Sequence, residues 1–113
     1  MQMLDFNALQ QPTWPVKLKD ESKTTVHLAT PTVDLVDRLI AATPEFQDVT
    51  KTKDGRAIRA IYDLVAELMS CNEDGLTFTG DELLGTYKMT LLDVFRFVAG
   101  YMEFIKEIND AKN

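Results

Sequence analysis

Ser70 to Asp81 is the segment of this chain whose side chains and spacing come nearest to holding a metal ion. Gly75 has oxygen-bearing neighbours at alternate positions, as in a helix-loop-helix calcium site, where a glycine at the sixth loop position makes the sharp turn. That count puts Ser70 first, Asn72 third, Asp74 fifth and Asp81 twelfth. The first position ordinarily needs a carboxylate, and Asp81 is a methylene shorter than the bidentate Glu expected last; Glu82 falls one place late. Thr79-Gly80-Asp81-Glu82 has capping-box spacing, which accounts for the stretch as a turn and a helix start. The expectation is no metal and no cofactor, and a metal-responsive helix-loop-helix module is the weakest of the readings.

Other reactive groups are sparse. His27 is the only histidine and stands in an alternating stretch with Thr25, which reads as the solvated side of a strand. Cys71 is the only cysteine, so no intrachain disulfide or cysteine-based zinc cluster can form. It follows a helix C-terminus and lies beside Glu73 and Asp74, both of which disfavour a thiolate. Gly75, Gly80, Gly85 and Gly100 are scattered, without the glycine run and Lys-Ser or Lys-Thr of a phosphate loop. The carboxylate pairs Asp34/Asp37 and Glu103/Glu107 sit at helical spacing on polar stripes. These residues do not argue for an enzyme.

Charge narrows the partners. The 113 residues carry a net charge of −6, with 45% hydrophobic and 27% charged residues, the composition of one globular domain. Lys17, Lys19 and Lys23 balance Asp5, Asp20 and Glu21, so the excess acid lies after Thr30. Nucleic acid and anionic membrane surfaces are therefore not expected as partners. The most apolar stretch is broken by Asp93, Arg96 and Glu103, short of the roughly 20 residues a membrane span needs. Met1 to Gln11 lacks the basic start and apolar run of a secretory signal, so the chain reads as cytoplasmic.

The elements follow from periodicity. The expected fold is α+β, mostly α, in a single domain over 1–113: a flexible arm (1–13), a β-hairpin (14–30) and a compact helical part of about four helices (31–113). Val16-Lys17-Leu18-Lys19 and Thr24-Thr25-Val26-His27-Leu28 alternate around Asp20-Glu21-Ser22-Lys23, placing Val16, Leu18, Val26 and Leu28 on one face. A lone hairpin is marginal in water, so it must pack on the helices, pair with another chain or gain a strand such as Leu76 to Phe78. Thr30-Pro31 predicts a short helix with Val33, Val36, Leu39 and Ile40 as its apolar side, ended by Pro44. One more turn could follow around Phe46 and Val49. Lys53-Asp54-Gly55 turns the chain into a helix over 56–70, with Ile58, Ile61, Tyr62, Val65 and Leu68 inward. Thr79 opens a short helix toward Tyr87, and Thr90 caps the last one, with Asp93 at its capping-box position.

That last helix, Leu91 through Asp110, is apolar almost all the way round. Asp93, Arg96, Gly100, Glu103, Glu107 and Asp110 fall on one narrow stripe, whereas a surface helix needs only roughly a 100° apolar face. Either it is the central helix or part of it serves a partner. Phe95, Phe97, Tyr101, Met102, Phe104 and Ile105 are the expected partner or self-association surface, and the chain is expected to form a homo-oligomer.

The order of parts resembles the tail assembly chaperones of long-tailed bacteriophages and prophages. The resemblance rests on Leu4-Asp5-Phe6, the Pro15-Val16-Lys17-Leu18 hairpin, Thr30-Pro31-Thr32-Val33 opening a helix, Asn72-Glu73-Asp74-Gly75-Leu76, and an all-helical remainder in an acidic chain of this size. It implies a non-enzymatic role in the host cytoplasm, coating the tape measure protein and recruiting tail tube subunits. It also implies self-association, and in some such proteins a longer product made by frameshifting, for which Ala111-Lys112-Asn113 can encode a slippery run. A small adaptor binding one folded partner is the alternative.

Overall fold

A computed structural model describes residues 3–4, 12–47 and 55–111. The expected arm, the turn at Lys53-Asp54, the further helical turn around Val49 and the end at Lys112-Asn113 lie wholly or largely outside them. The order is a hairpin, β1 (Trp14–Lys17) and β2 (Thr25–Leu28), then α1 (Val33–Gln47), α2 (Gly55–Ser70), α3 (Gly80–Gly85) and α4 (Leu91–Ala111). The fold is α+β and mostly α.

The strands are antiparallel, with Val16 opposite Val26 and Trp14 opposite Leu28. Asp20 holds the turn by accepting bonds from the Thr24 amide at 2.8 Å and its hydroxyl at 2.5 Å. Period-two alternation sends Leu18, Val26 and Leu28 into the core. Leu76 to Phe78 does not extend the sheet. The outer edge of β2 is instead met by the segment after α2, where Ala29 N–H donates to Cys71 O at 3.0 Å and Glu73 N–H to His27 O at 2.9 Å. These bonds satisfy edge groups that the hairpin alone would leave to solvent.

The same contacts move the start of α1. Thr30, before a proline, is biased toward extended backbone and stays beside the Cys71 loop. Thr32 becomes the cap, accepting from the Leu35 amide at 3.2 Å. The helix also passes Pro44 instead of ending there. A late proline removes one bond to the Ile40 carbonyl, and Ile40 lies on the exposed side, where water can satisfy that oxygen. Thr43 Oγ1 donates to the Leu39 carbonyl at 3.0 Å in the same turn. The inward stripe is Leu35, Leu39 and Ala42, leaving Val33 (78% exposed) and Ile40 (57%) outside.

The central helix is α2, which packs against α1, α3, α4 and β2. Ile61, Tyr62, Val65 and Leu68 are buried as expected, and Leu64, Ala66 and Met69 with them. Its polar line reaches its neighbours: Glu67 pairs with Arg38 of α1 and Arg59 with Asp81 of α3 at 2.5 Å. Thr79 caps α3 through the Glu82 amide. Thr90 and Asp93 form a reciprocal box at α4, Thr90 N–H to Asp93 Oδ2 at 2.9 Å and Asp93 N–H to Thr90 Oγ1 at 3.2 Å.

Candidate functional site

The hairpin and α4 meet through one aromatic cluster. Alternation puts Trp14 on the same face as Val16 and Leu18, and its indole lies against α4, with ring centroids 5.4 Å from Phe97, 6.2 Å from Tyr101 and 6.2 Å from Phe104. Such separations suit tilted and edge-on aromatic contacts. Room for the indole comes from Gly100, where an added Cβ would stand 2.6 Å from Trp14 Cζ2. Gly100 therefore does not belong to the solvated stripe. Nor does Asp93, which is held by Lys19 of the hairpin at 2.6 Å as well as by Thr90. The Lys19 hydrogen bond and then the Thr90 amide hold the Asp93 carboxyl below the usual range.

The structure divides the expected surface. Phe97, Tyr101 and Phe104 are buried against Trp14 and the α2 side of the core; Phe95 and Ile105 are half-buried; Met102 is 41% exposed. Much of α4's apolar girth is thus consumed within the chain, by its own hairpin on one side and the helices on the other. Leu92, 57% exposed, joins Met102 on the outward side, a residue absent from the expected set. The Tyr101 hydroxyl is buried without a hydrogen-bond partner among the described residues, and burial pushes its ionisation upward.

Beside the aromatic cluster lies a cleft of about 240 Å³ between β1 and α4. Trp14, Phe97 and two methionines, Met69 and Met89, make it apolar, while Lys17 and Arg96 stand at its rim. Sequence reasoning missed this site. The available signs were Trp14 in phase with the hairpin's buried face, and a glycine in mid-helix, which often marks a close approach.

The Ser70 to Asp81 segment is built around its own bonds. Ser70 Oγ accepts from the Phe78 amide at 2.8 Å and donates to the Ala66 carbonyl at 2.7 Å. Asn72 Oδ1 accepts from the Asp74 and Leu76 amides at 3.0 and 3.1 Å, and its Nδ2 donates to the Met69 and Leu76 carbonyls, both at 2.8 Å. Asp74 turns away to accept from the His27 amide at 2.6 Å, with the imidazole Nδ1 at 3.2 Å. That amide bond, followed by the ring contact, lowers the Asp74 carboxyl. His27 is solvated as expected but also ties β2 to this loop. Among the described residues no three His, Cys, Asp or Glu side chains converge as a metal site would require. No described helix is long and apolar enough to cross a membrane.

Comparison with protein-family models, curated proteins and solved structures finds no match for this chain.

Proposed function

We propose that the chain is a non-enzymatic tail assembly chaperone of a long-tailed phage or prophage, working in the host cytoplasm as a homo-oligomer. It binds the tape measure protein and assists tail tube assembly. The observation that carries this reading is the outward side of α4, which keeps Leu92 and Met102 exposed after the core has taken its share. An amphipathic client helix recognises such a face through apolar side chains spaced along it, and methionine adapts to varied partners. The succession of hairpin and four helices also agrees with the architecture the resemblance implies.

The test is titration of the full chain with labelled fragments of the tape measure protein encoded by the same phage or prophage, followed by anisotropy. Leu92→Asp and Met102→Asp place a charge where an apolar contact would form and should weaken binding by about tenfold or more, with unchanged melting. Failure of the parent chain to bind any fragment refutes the chaperone reading. Binding that both variants leave unaltered refutes the assigned face.

A further inference from the structure

Asp37 is an exposed carboxylate set in the middle of an apolar stripe. The outward side of α1 runs Val33, Asp37, Ile40 and Pro44, at steps of four, three and four residues that place them in one line. Val33 is 78% and Ile40 57% exposed, and they stand about 10 Å apart along the helix. The Asp37 side chain has no ion-pair partner among the described residues. Its own helix cannot supply one, because the positions three and four residues away are Asp34, Ile40, Val33 and Ala41.

Arg38, the neighbouring cation, is engaged elsewhere. Its guanidinium pairs with Glu67 of α2 and stands 4.0 Å from Asp34. Asp34, whose side chain is 81% exposed, has a reason of its own to be acidic: it lies in the first turn of α1, where the helix dipole favours a carboxylate. Asp37 lies beyond that turn and gains less. Two carboxylates three residues apart repel each other on a helix surface. A cation brought between them reverses that repulsion, and apolar groups on either side of the cation would cover Val33 and Ile40.

We propose that the outer face of α1 docks a basic amphipathic helix of a partner protein, one that sets a Lys or Arg between apolar residues a turn to either side. The apolar residues cover Val33 and Ile40, and the cation meets Asp37 and Asp34. Helix recognition rests on such anchors a turn apart, and the central charge pair fixes which helix is accepted. A contact along one helical line is at the small end of protein interfaces, so the complex is transient. The face belongs to α1, which reaches the core through α2, whereas Leu92 and Met102 stand on α4. The two surfaces can therefore fail separately.

Two labelled synthetic helical peptides test it, identical in their leucines, one with arginine and the other with glutamate at the central position. Anisotropy with the full chain should show binding of the arginine peptide, weaker as salt is raised, and none of the glutamate peptide. Asp37→Lys should weaken the arginine peptide by about tenfold or more and make the glutamate peptide bind, a reversal of specificity. Val33→Ser with Ile40→Ser should weaken the arginine peptide with unchanged melting, because both residues are exposed. Glu103→Lys changes the net charge equally at an exposed position of α4 and should leave binding as in the parent. An arginine peptide that stays free at high micromolar concentration, equal effects of Asp37→Lys and Glu103→Lys, or a glutamate peptide that Asp37→Lys leaves unbound would each overturn the proposal. Self-association that Asp37→Lys abolishes in sedimentation velocity would assign the face to a second copy and overturn it too.

Discussion

Gly100→Ala tests the docking of the hairpin on α4. In an unobstructed helix this change stabilises by about 1 kcal/mol, because alanine gives up less backbone entropy. Here the new methyl would lie 2.6 and 2.7 Å from two carbons of the Trp14 ring, about an ångström inside ordinary contact. The indole is a rigid plane hemmed by Phe97, Tyr101 and Phe104, so it must move as a body. Overpacking of this kind costs about 1–3 kcal/mol. Set against the helix term, the net expectation is a loss of about 1 kcal/mol, or about 4 °C in Tm for a 113-residue domain. Trp14→Ala should itself cost about 3 kcal/mol, the low end for a large aromatic because the residue is half-buried. In that background Gly100→Ala should become stabilising. The double-mutant cycle by urea unfolding reads the coupling directly. If Gly100→Ala stabilises the parent chain as much as the Trp14→Ala chain, the indole is not seated on Gly100 and the account of the aromatic cluster is wrong.

Asn72→Ala removes a side chain that bonds two amides and two carbonyls, and should cost about 1–3 kcal/mol in chemical denaturation. Phe97→Asp and Phe104→Asp bury a charge in the core, so both should unfold the chain by circular dichroism, unlike Leu92→Asp. Tyr101→Phe breaks no hydrogen bond among the described residues and should leave the urea midpoint unchanged or raise it. Asp20, Asp74 and Asp93 all have lowered carboxyl pKa values, through Thr24, His27 and Lys19 respectively as the leading causes. Their stabilisation is present above the unfolded carboxylate range, near 3.9, and is lost as pH falls through the lower folded values. Melting followed from pH 6 down to pH 2 should show that loss, and Asp74→Asn with Asp93→Asn should flatten it.

Several elements were legible because they depend on neighbours in sequence. Alternation in Val16 to Lys19 and Thr24 to Leu28 specifies a two-faced hairpin, and Thr79-Glu82 and Thr90-Asp93 announce helix starts whose bonds span three residues. The 3.6-residue repeat of Ile58, Ile61, Tyr62, Val65 and Leu68 likewise identified the inward face of α2. Such patterns concern backbone groups and side chains a turn apart, so no distant contact is needed to read them.

What the tertiary structure decided was which of several apolar stripes turns inward and what covers it. Along α1, Leu35-Leu39-Ala42 and Val33-Val36-Ile40 both repeat as helix faces, and only packing against α2 selects the first. Along α4 the excess of apolar residues could mean a core, a partner or both, because periodicity marks a face without naming its occupant. Trp14 supplies much of the answer from more than eighty positions away, through a glycine that the helical pattern had placed on the solvent side. In the same way Asn72 and Asp74, oxygen ligands by spacing, are spent on the loop and on His27. Residue type and spacing limit what each side chain can do; the long-range contacts choose among those roles, because burial and hydrogen bonding are satisfied by whatever the folded chain brings near.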